Sequence, residues 1–300
     1  MNKRSSLFVR FFISYLIVLC IPIPIGAYVY HQTVQILEDE VKNTSLMVLE
    51  HSKSLMDNQL KLVERFSDTL SANKKIMSFF TTQLPFTNHD YYELTQIMKE
   101  IENMQFDRSN VLDFNIFFKD LDTTITSEAI FHGERDYEVF YKYGDFTYQD
   151  FADLITSGVR GFLPPHSAKI MKLENETLAY VRPLRHGAAS EPTGAVVIYT
   201  NTDEITELLQ SLSDHFQGDA FIFDANGQMM AAAGENRSFG PRFLQTEASA
   251  AGTKLISDDD GEYFVVHLKS DVSNWSFVAV APKKAVFAKA YYIQRLTVTI

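Results

Sequence analysis

The sequence predicts an α+β chain with a membrane-spanning helix, a long stalk helix, two antiparallel-sheet units and a helix leading into a second span. Three observations carry this reading. Residues Phe11 to Tyr30 run without a charge. From His31 to about Phe80 there is no glycine or proline, and apolar residues recur at helical spacing. Beyond that point helix-like and strand-like stretches alternate in the same order twice, at a period of roughly 100 residues.

The totals allow a packed core. The chain has 300 residues, 46% of them hydrophobic and 13% aromatic, enough for one or two domains. A net charge of −11 argues against a nucleic-acid surface, which needs clustered lysine and arginine. The single cysteine, Cys20, excludes an internal disulfide.

Residues 1–10, with Lys3, Arg4 and Arg10, form a basic tail. The positive-inside rule places that tail in the cytoplasm. Residues 11–30 match the length of a transmembrane helix, about 20 residues. The run is longer than the apolar region of a cleaved signal peptide, and Gly26-Ala27-Tyr28 is a poor cleavage site. Leu19 before Cys20 disfavours a lipoprotein signal. Residues 31–83 read as the stalk: Val34, Leu37, Val41, Val48, Leu55, Leu62, Phe66 and Leu70 fall at intervals of three, four and seven. Thr44 and His51 interrupt the heptad, so this face serves either as a dimer seam or for packing on its own domain.

Residues 84–200 form the first sheet unit. Leu84-Pro85 ends the stalk helix, and Tyr91 to Met104 is a second helix. Leu112–Phe118 and Thr123–Ala129 read as strands, Tyr148–Ile155 as a short helix and Phe162–Pro165 as a loop. Further strands are expected at 169–173, 177–184 and 194–199. Residues 201–282 form the second unit: a helix at 203–216, a hairpin turning at Asn226-Gly227, and strands at 253–257, 262–269 and 275–281. Antiparallel strands with helices on one face give two α+β units. Residues 283–300 return to helical spacing, and Leu296–Ile300 would open a second span.

No catalytic constellation is visible. The eight histidines are scattered, with no H-E-x-x-H or C-x-x-C spacing, and no G-x-S-x-G or phosphate-binding glycine loop occurs. Nothing calls for a metal or a cofactor. Asp224–Glu235 is similar to a calcium loop, but Met229 stands where such a loop needs glycine. The remaining candidate is a small-molecule cleft walled by Tyr137, Tyr141, Tyr143 and Phe146, with Asp120, Asp136, His166 and Arg182 as polar partners. The same tyrosines would serve equally as a cover for the first sheet.

The order of elements resembles a double-Cache (tandem PAS-like) extracytoplasmic sensor. Gly194–Ile205 resembles the end of a membrane-distal Cache unit entering its linker helix. Phe221–Met229 resembles the first hairpin of a membrane-proximal unit, and Asn274–Pro282 its last strand. Ser6–Arg10, Ile21-Pro22 and Ser71–Ile76 resemble Firmicute membrane-bound regulators of the AraC type. The resemblance implies residues 31–285 outside the cell membrane, membrane lipid around 11–30, and an unknown small-molecule ligand in the distal cleft. It also implies a homodimer along the stalk, and DNA binding only through a C-terminal helix-turn-helix part that these residues lack. Sensor regions of histidine kinases or chemoreceptors are the alternative, and a surface enzyme is the reading of a different class. Amino-acid Cache sensors share a Tyr, an Arg-x-Trp-Tyr and a later Asp. The only tryptophan here is Trp275, in the second unit, so the resemblance does not extend to an amino-acid ligand.

Overall fold

The computed structural model describes residues 3–102, 104, 111–170, 173–187, 191–235, 252–258 and 261–288. Helix α1 spans Lys3–Cys20 and α2 spans Pro22–Ser71, a length of 50 residues, or about 75 Å. The two are separated only at Ile21, whose backbone stays right-handed helical at φ −60° and ψ −41°. Pro22 is the cause of the division: it has no N–H to give to the preceding turn and is accommodated best as a first helical residue.

The expectation of one membrane-spanning helix at 11–30 is therefore corrected. The uncharged run is shared between α1, which also carries Lys3, Arg4 and Arg10, and the start of α2, which turns polar from His31. Among the described residues no helix is long and apolar enough to cross a membrane. Phe11, Phe12, Tyr15, Val18, Ile25 and Tyr28 are nonetheless exposed.

The stalk helix ends at Ser71, earlier than Leu84-Pro85. Asn73 closes it and opens α3 (Lys74–Phe79), its side chain accepting from the amides of Lys75 and Ile76 at 2.9 and 3.1 Å. Helix α4 (Asn88–Glu102) follows a reciprocal cap: Asp90 accepts from the Thr87 amide at 2.6 Å, and Thr87 Oγ1 accepts from the Asp90 amide at 3.4 Å.

The distal sheet contains β1 (Val111–Phe118), β2 (Thr123–Ile125), β3 (Ile130–His132), β4 (Gly161–Ile170), β5 (Leu173–Leu184) and β6 (Gly194–Asn201). They lie in the order β3-β2-β1-β6-β5-β4, antiparallel throughout. Strand alternation divides the side chains. Phe114, Ile116, Phe118, Tyr180, Val196 and Ile198 pack against α2, α3 and α4. Phe117, Ala179, Val181, Ala195, Val197 and Tyr199 face the other way, toward α5 (Gly133–Asp136), the π-helical turn Tyr137–Tyr141 and α6 (Tyr148–Thr156). Helical segments thus cover both faces of this sheet, not one as expected.

Phe162–Pro165 lies within β4 and is not a loop. The strand is at the sheet edge, and its register shifts between Leu163 and His166. An edge and a bulge are where proline's missing donor costs least. Gly194 is required where β6 crosses β1, because an added Cβ would run into the carbonyl oxygen of Phe117.

The linking helix α7 (Asp203–Phe216) leads to the proximal sheet: β7 (Asp219–Phe223), β8 (Met229–Ala233), β9 (Gly252–Asp258), β10 (Gly261–Lys269) and β11 (Ser276–Pro282), in the order β8-β7-β11-β10-β9. Its inner face, with Ile222, Phe264, Val266 and Phe277, packs on α7 and on Leu49, Met56 and Leu60 of α2. A last short helix, α8, covers Lys283–Val286, after which Phe287 sits edge-on to Phe264 at 5.6 Å. The expected opening of a second span, at Leu296–Ile300, lies outside the described residues.

One helix therefore carries both units. Phe162 of the distal sheet meets Trp275 of the proximal one edge-on at 5.4 Å, joining their cores.

Candidate functional site

The outer face of the distal sheet collects the aromatic candidates. The Tyr137–Tyr141 turn and the chain to Phe146 lie over β1, β6 and β4, and Tyr137, Tyr141 and Tyr143 are all buried there. Tyr137 stacks on Phe151 and meets Tyr141 edge-on, each at 5.3 Å. Tyr143 approaches Tyr199 at 6.0 Å and His166 at 5.3 Å. Tyr143 donates to the Pro164 carbonyl at 2.7 Å, and Tyr137 to the Phe146 carbonyl at 3.1 Å. Thr124 donates to the Tyr141 hydroxyl at 3.1 Å.

Beneath this layer is a polar floor that reading the sequence missed. Asp113 and Asn115 of β1 are buried, as are Thr124, Thr126 and Tyr199. Asp113 accepts from the amides of Phe114 and Ser127 at 2.8 and 3.2 Å. Asn115 donates to the Tyr199 hydroxyl at 2.9 Å. In the sequence these two positions are the polar members of an alternating strand, the pattern of a solvent-facing edge. Only the helical cover over that face buries them.

Burial dominates the electrostatics. It pushes the Tyr141 phenol up to about 12, and those of Tyr137, Tyr143 and Tyr199 upward as well. Tyr148 is raised by burial and by its short hydrogen bond to the Asp122 carboxylate. Asp113 is also held above the usual carboxylate range by burial, against the pull of its hydrogen bonds from Ser127 and Phe114. These groups stay neutral near pH 7 or, for Asp113, closer to neutrality than usual.

The other expected partners are spread out. His166 stands at the rim, edge-on to both Tyr143 and Phe146. Asp136 caps locally, accepting from the His132 amide at 2.8 Å. Asp120 is exposed in the one-turn 3-10 segment Lys119–Leu121. Arg182 shares strand parity with Tyr180 and Leu184, so it points to the stalk face and pairs with Asp68 of α2. It cannot join the tyrosines across the sheet. Among the described residues no group of three His, Cys, Asp or Glu could hold a metal ion.

A cavity of about 740 Å³ lies in the proximal unit and is lined by Gln210, Asp214, Asp219, Glu235 and Tyr263. Its walls are mainly polar, whereas small-molecule sites are usually apolar with a few placed polar groups. Another space, of about 560 Å³, is a groove between α2 and α7 lined by Met47, Val48, Leu55 and Leu208, with His51 and His215 at its sides.

No family model matches the chain, and no curated protein sequence does. Solved structures do match. The extracellular domain of the putative histidine kinase soHK1S-Z6 superposes with a TM-score of 0.54 at 15% identity, covering 85% of this chain and 98% of that one. The chain shares the fold of a sensory domain. The sensory domain of the Campylobacter jejuni chemoreceptor Tlp3 (CcmL), solved with isoleucine bound, superposes at 0.50 with 10% identity, over 85% and 97% of the two chains. At such identities the likeness is one of fold.

Proposed function

We propose that this chain is the ligand-sensing input region of a membrane-bound signalling receptor, with its ligand bound on the outer face of the distal unit. The observation that carries the reading is helix α2. It starts in the exposed apolar stretch, passes the proximal sheet and ends beneath the distal one. A ligand that favours one packing of the distal sheet over another would act on the same rod that leads back to residues 11–30. Such a ligand acts only through its differential affinity for the two states.

Tyr137, Tyr141 and Tyr143 supply the walls of the site and His166 its rim. A histidine kinase or a chemoreceptor is the output best supported by the fold neighbours, and an AraC-type output rests on the short N-terminal motifs alone. Residues 11–30 are assigned to lipid contact, and the exposure of Phe11, Phe12, Tyr15, Ile25 and Tyr28 supports this reading. Homodimerisation is placed on the exposed stripe of α2. The second reading is a protein-binding ectodomain without a ligand, and the close packing of Tyr137, Tyr143 and Tyr199 favours it.

Calorimetry and thermal shift of the chain against a metabolite panel test the proposal. Saturable binding by one compound class, weakened by Tyr141→Ala but not by Asp120→Ala, is the expected result. A panel without a binder, or a binder indifferent to Tyr141, favours the ectodomain reading.

A further inference from the structure

We propose that the groove between α2 and α7 binds a medium-chain monocarboxylic acid, at a site separate from the distal tyrosines and independent of the sensor reading there.

The groove follows one face of each helix. On α2, Thr44, Val48, His51 and Leu55 line it at intervals of four, three and four residues, over about 16 Å. On α7, Leu208, Ser211 and His215 follow at three and four. A volume of about 560 Å³, with mainly apolar walls and a few polar side chains, is that of a small-molecule site.

Ser52 points to a ligand. It lines the groove, is only 9% exposed, and its hydroxyl has no hydrogen-bond partner among the described residues. A nearly buried hydroxyl without a partner is costly, and native structures keep few of them. The side chains of Thr44, Ser211, His51 and His215 also have no protein hydrogen-bond partner among the described residues.

The lining selects the chemistry of the head group. Its polar side chains are hydroxyls and imidazoles, each with a hydrogen to donate. Among the described residues no aspartate, glutamate, lysine or arginine lines the groove, in a chain whose net charge is −11. The carboxylates next to the two histidines are engaged elsewhere, Glu50 with Lys53 and Asp214 with Gln210, each at 2.9 Å. A carboxylate accepts at both oxygens and donates nothing, so it matches a wall of donors without negative charge. An ammonium would find no carboxylate to pair with. The alkyl chain would lie along Val48, Leu55 and Leu208, exchanging water for apolar contact. Binding would tie the stalk helix to the linking helix.

The test is calorimetry on the whole chain with octanoate, octanol, octylamine and butyrate as probes. Octanoate is expected to bind saturably, at least about tenfold more tightly than octanol or octylamine. Butyrate, four methylenes shorter, should be weaker by at least about tenfold. Ser52→Ala should weaken octanoate about tenfold. Ser211→Glu sets a carboxylate on the groove wall at an exposed helical position. It should weaken octanoate at least about tenfold by like-charge repulsion, with circular dichroism and melting unchanged. Thr95→Glu adds the same charge to an exposed position of α4 and should leave octanoate binding as it is. Octanoate that fails to bind, or binds either serine variant as tightly as the parent, overturns the proposal. Octanol or octylamine binding as tightly as octanoate overturns the carboxylate class. Sedimentation that changes in Ser211→Glu, with no octanoate bound by the parent, assigns the groove to a second copy instead. The distal site is judged separately, on compounds whose binding depends on Tyr141.

Discussion

Tyr141 shows how a single buried side chain sets a pH limit on this protein. Its phenol titrates near 10 when exposed and near 12 in the folded chain, because burial disfavours the phenolate. Between those values the unfolded chain has already released the proton and the folded one has not. Stability is therefore fully present below pH 10 and falls as pH rises toward 12, by about 3 kcal/mol from this group alone. Tyr137, Tyr143 and Tyr199 shift the same way. Urea unfolding followed across this range should show the midpoint falling, less steeply in Tyr141→Phe. A midpoint level up to pH 12 would contradict the buried placement. The same scale shows where reading residues stopped. The tyrosines are legible as an aromatic group, but the face of β5 that Arg182 occupies depends on the strand's place in the sheet.

The element scale is governed by α2. Its buried apolar side chains are Leu49, Met56, Leu60, Val63, Phe66 and Leu70. Val48, Leu55 and Leu62, which lie on the predicted stripe, are not among them, and Leu55 and Leu62 are 47% and 45% exposed. The helix has two adjacent apolar stripes, and heptad spacing picked out the outer one as readily as the packed one. Polar clasps tie each unit to this helix. Asp68 accepts from Arg182 and lies 3.6 Å from Arg160. Ser270 donates to the buried Asp57 at 2.5 Å and accepts from the amides of Val272 and Ser273, each at 3.0 Å. Ser270→Ala strips Asp57 of that donor and leaves both amides without their acceptor. A loss of about 1–3 kcal/mol is expected in urea unfolding. An unchanged midpoint would show that the clasp adds nothing to the docking of the proximal unit.

At the scale of the whole molecule, the outer stripe of α2 is the surface proposed for a second copy. Leu55 and Leu62 sit seven residues apart, with Met47 about two turns before Leu55, and the groove against α7 runs beside them. Leu55→Glu with Leu62→Glu should convert a dimer to a monomer in sedimentation without loss of helical content. A parent chain that is already monomeric at high concentration removes the seam. The lipid placement of residues 11–30 has its own check. Leu16→Arg with Ile17→Arg would put two charges into this apolar stretch, at a cost of up to about 3 kcal/mol each in hydrocarbon. The variant should leave the membrane fraction in vesicle flotation. A parent chain that does not float with the vesicles overturns the placement.

The α+β class, the long helix and the hairpin at Asn226-Gly227 were legible in the sequence, because helical and strand periods and turn residues are local properties of the chain. So was the position of α6, where Thr147 caps a short amphipathic run. Three features depended on tertiary structure. Pro164 and Pro165 sit in a strand because β4 is at the sheet edge, a fact of strand order. Arg182 faces the stalk because the pleat and the sheet order together set its side. Asp113 and Asn115 form a buried floor only because a segment some twenty residues later folds back over β1. Periodicity says which residues share a face, and only packing says what covers it.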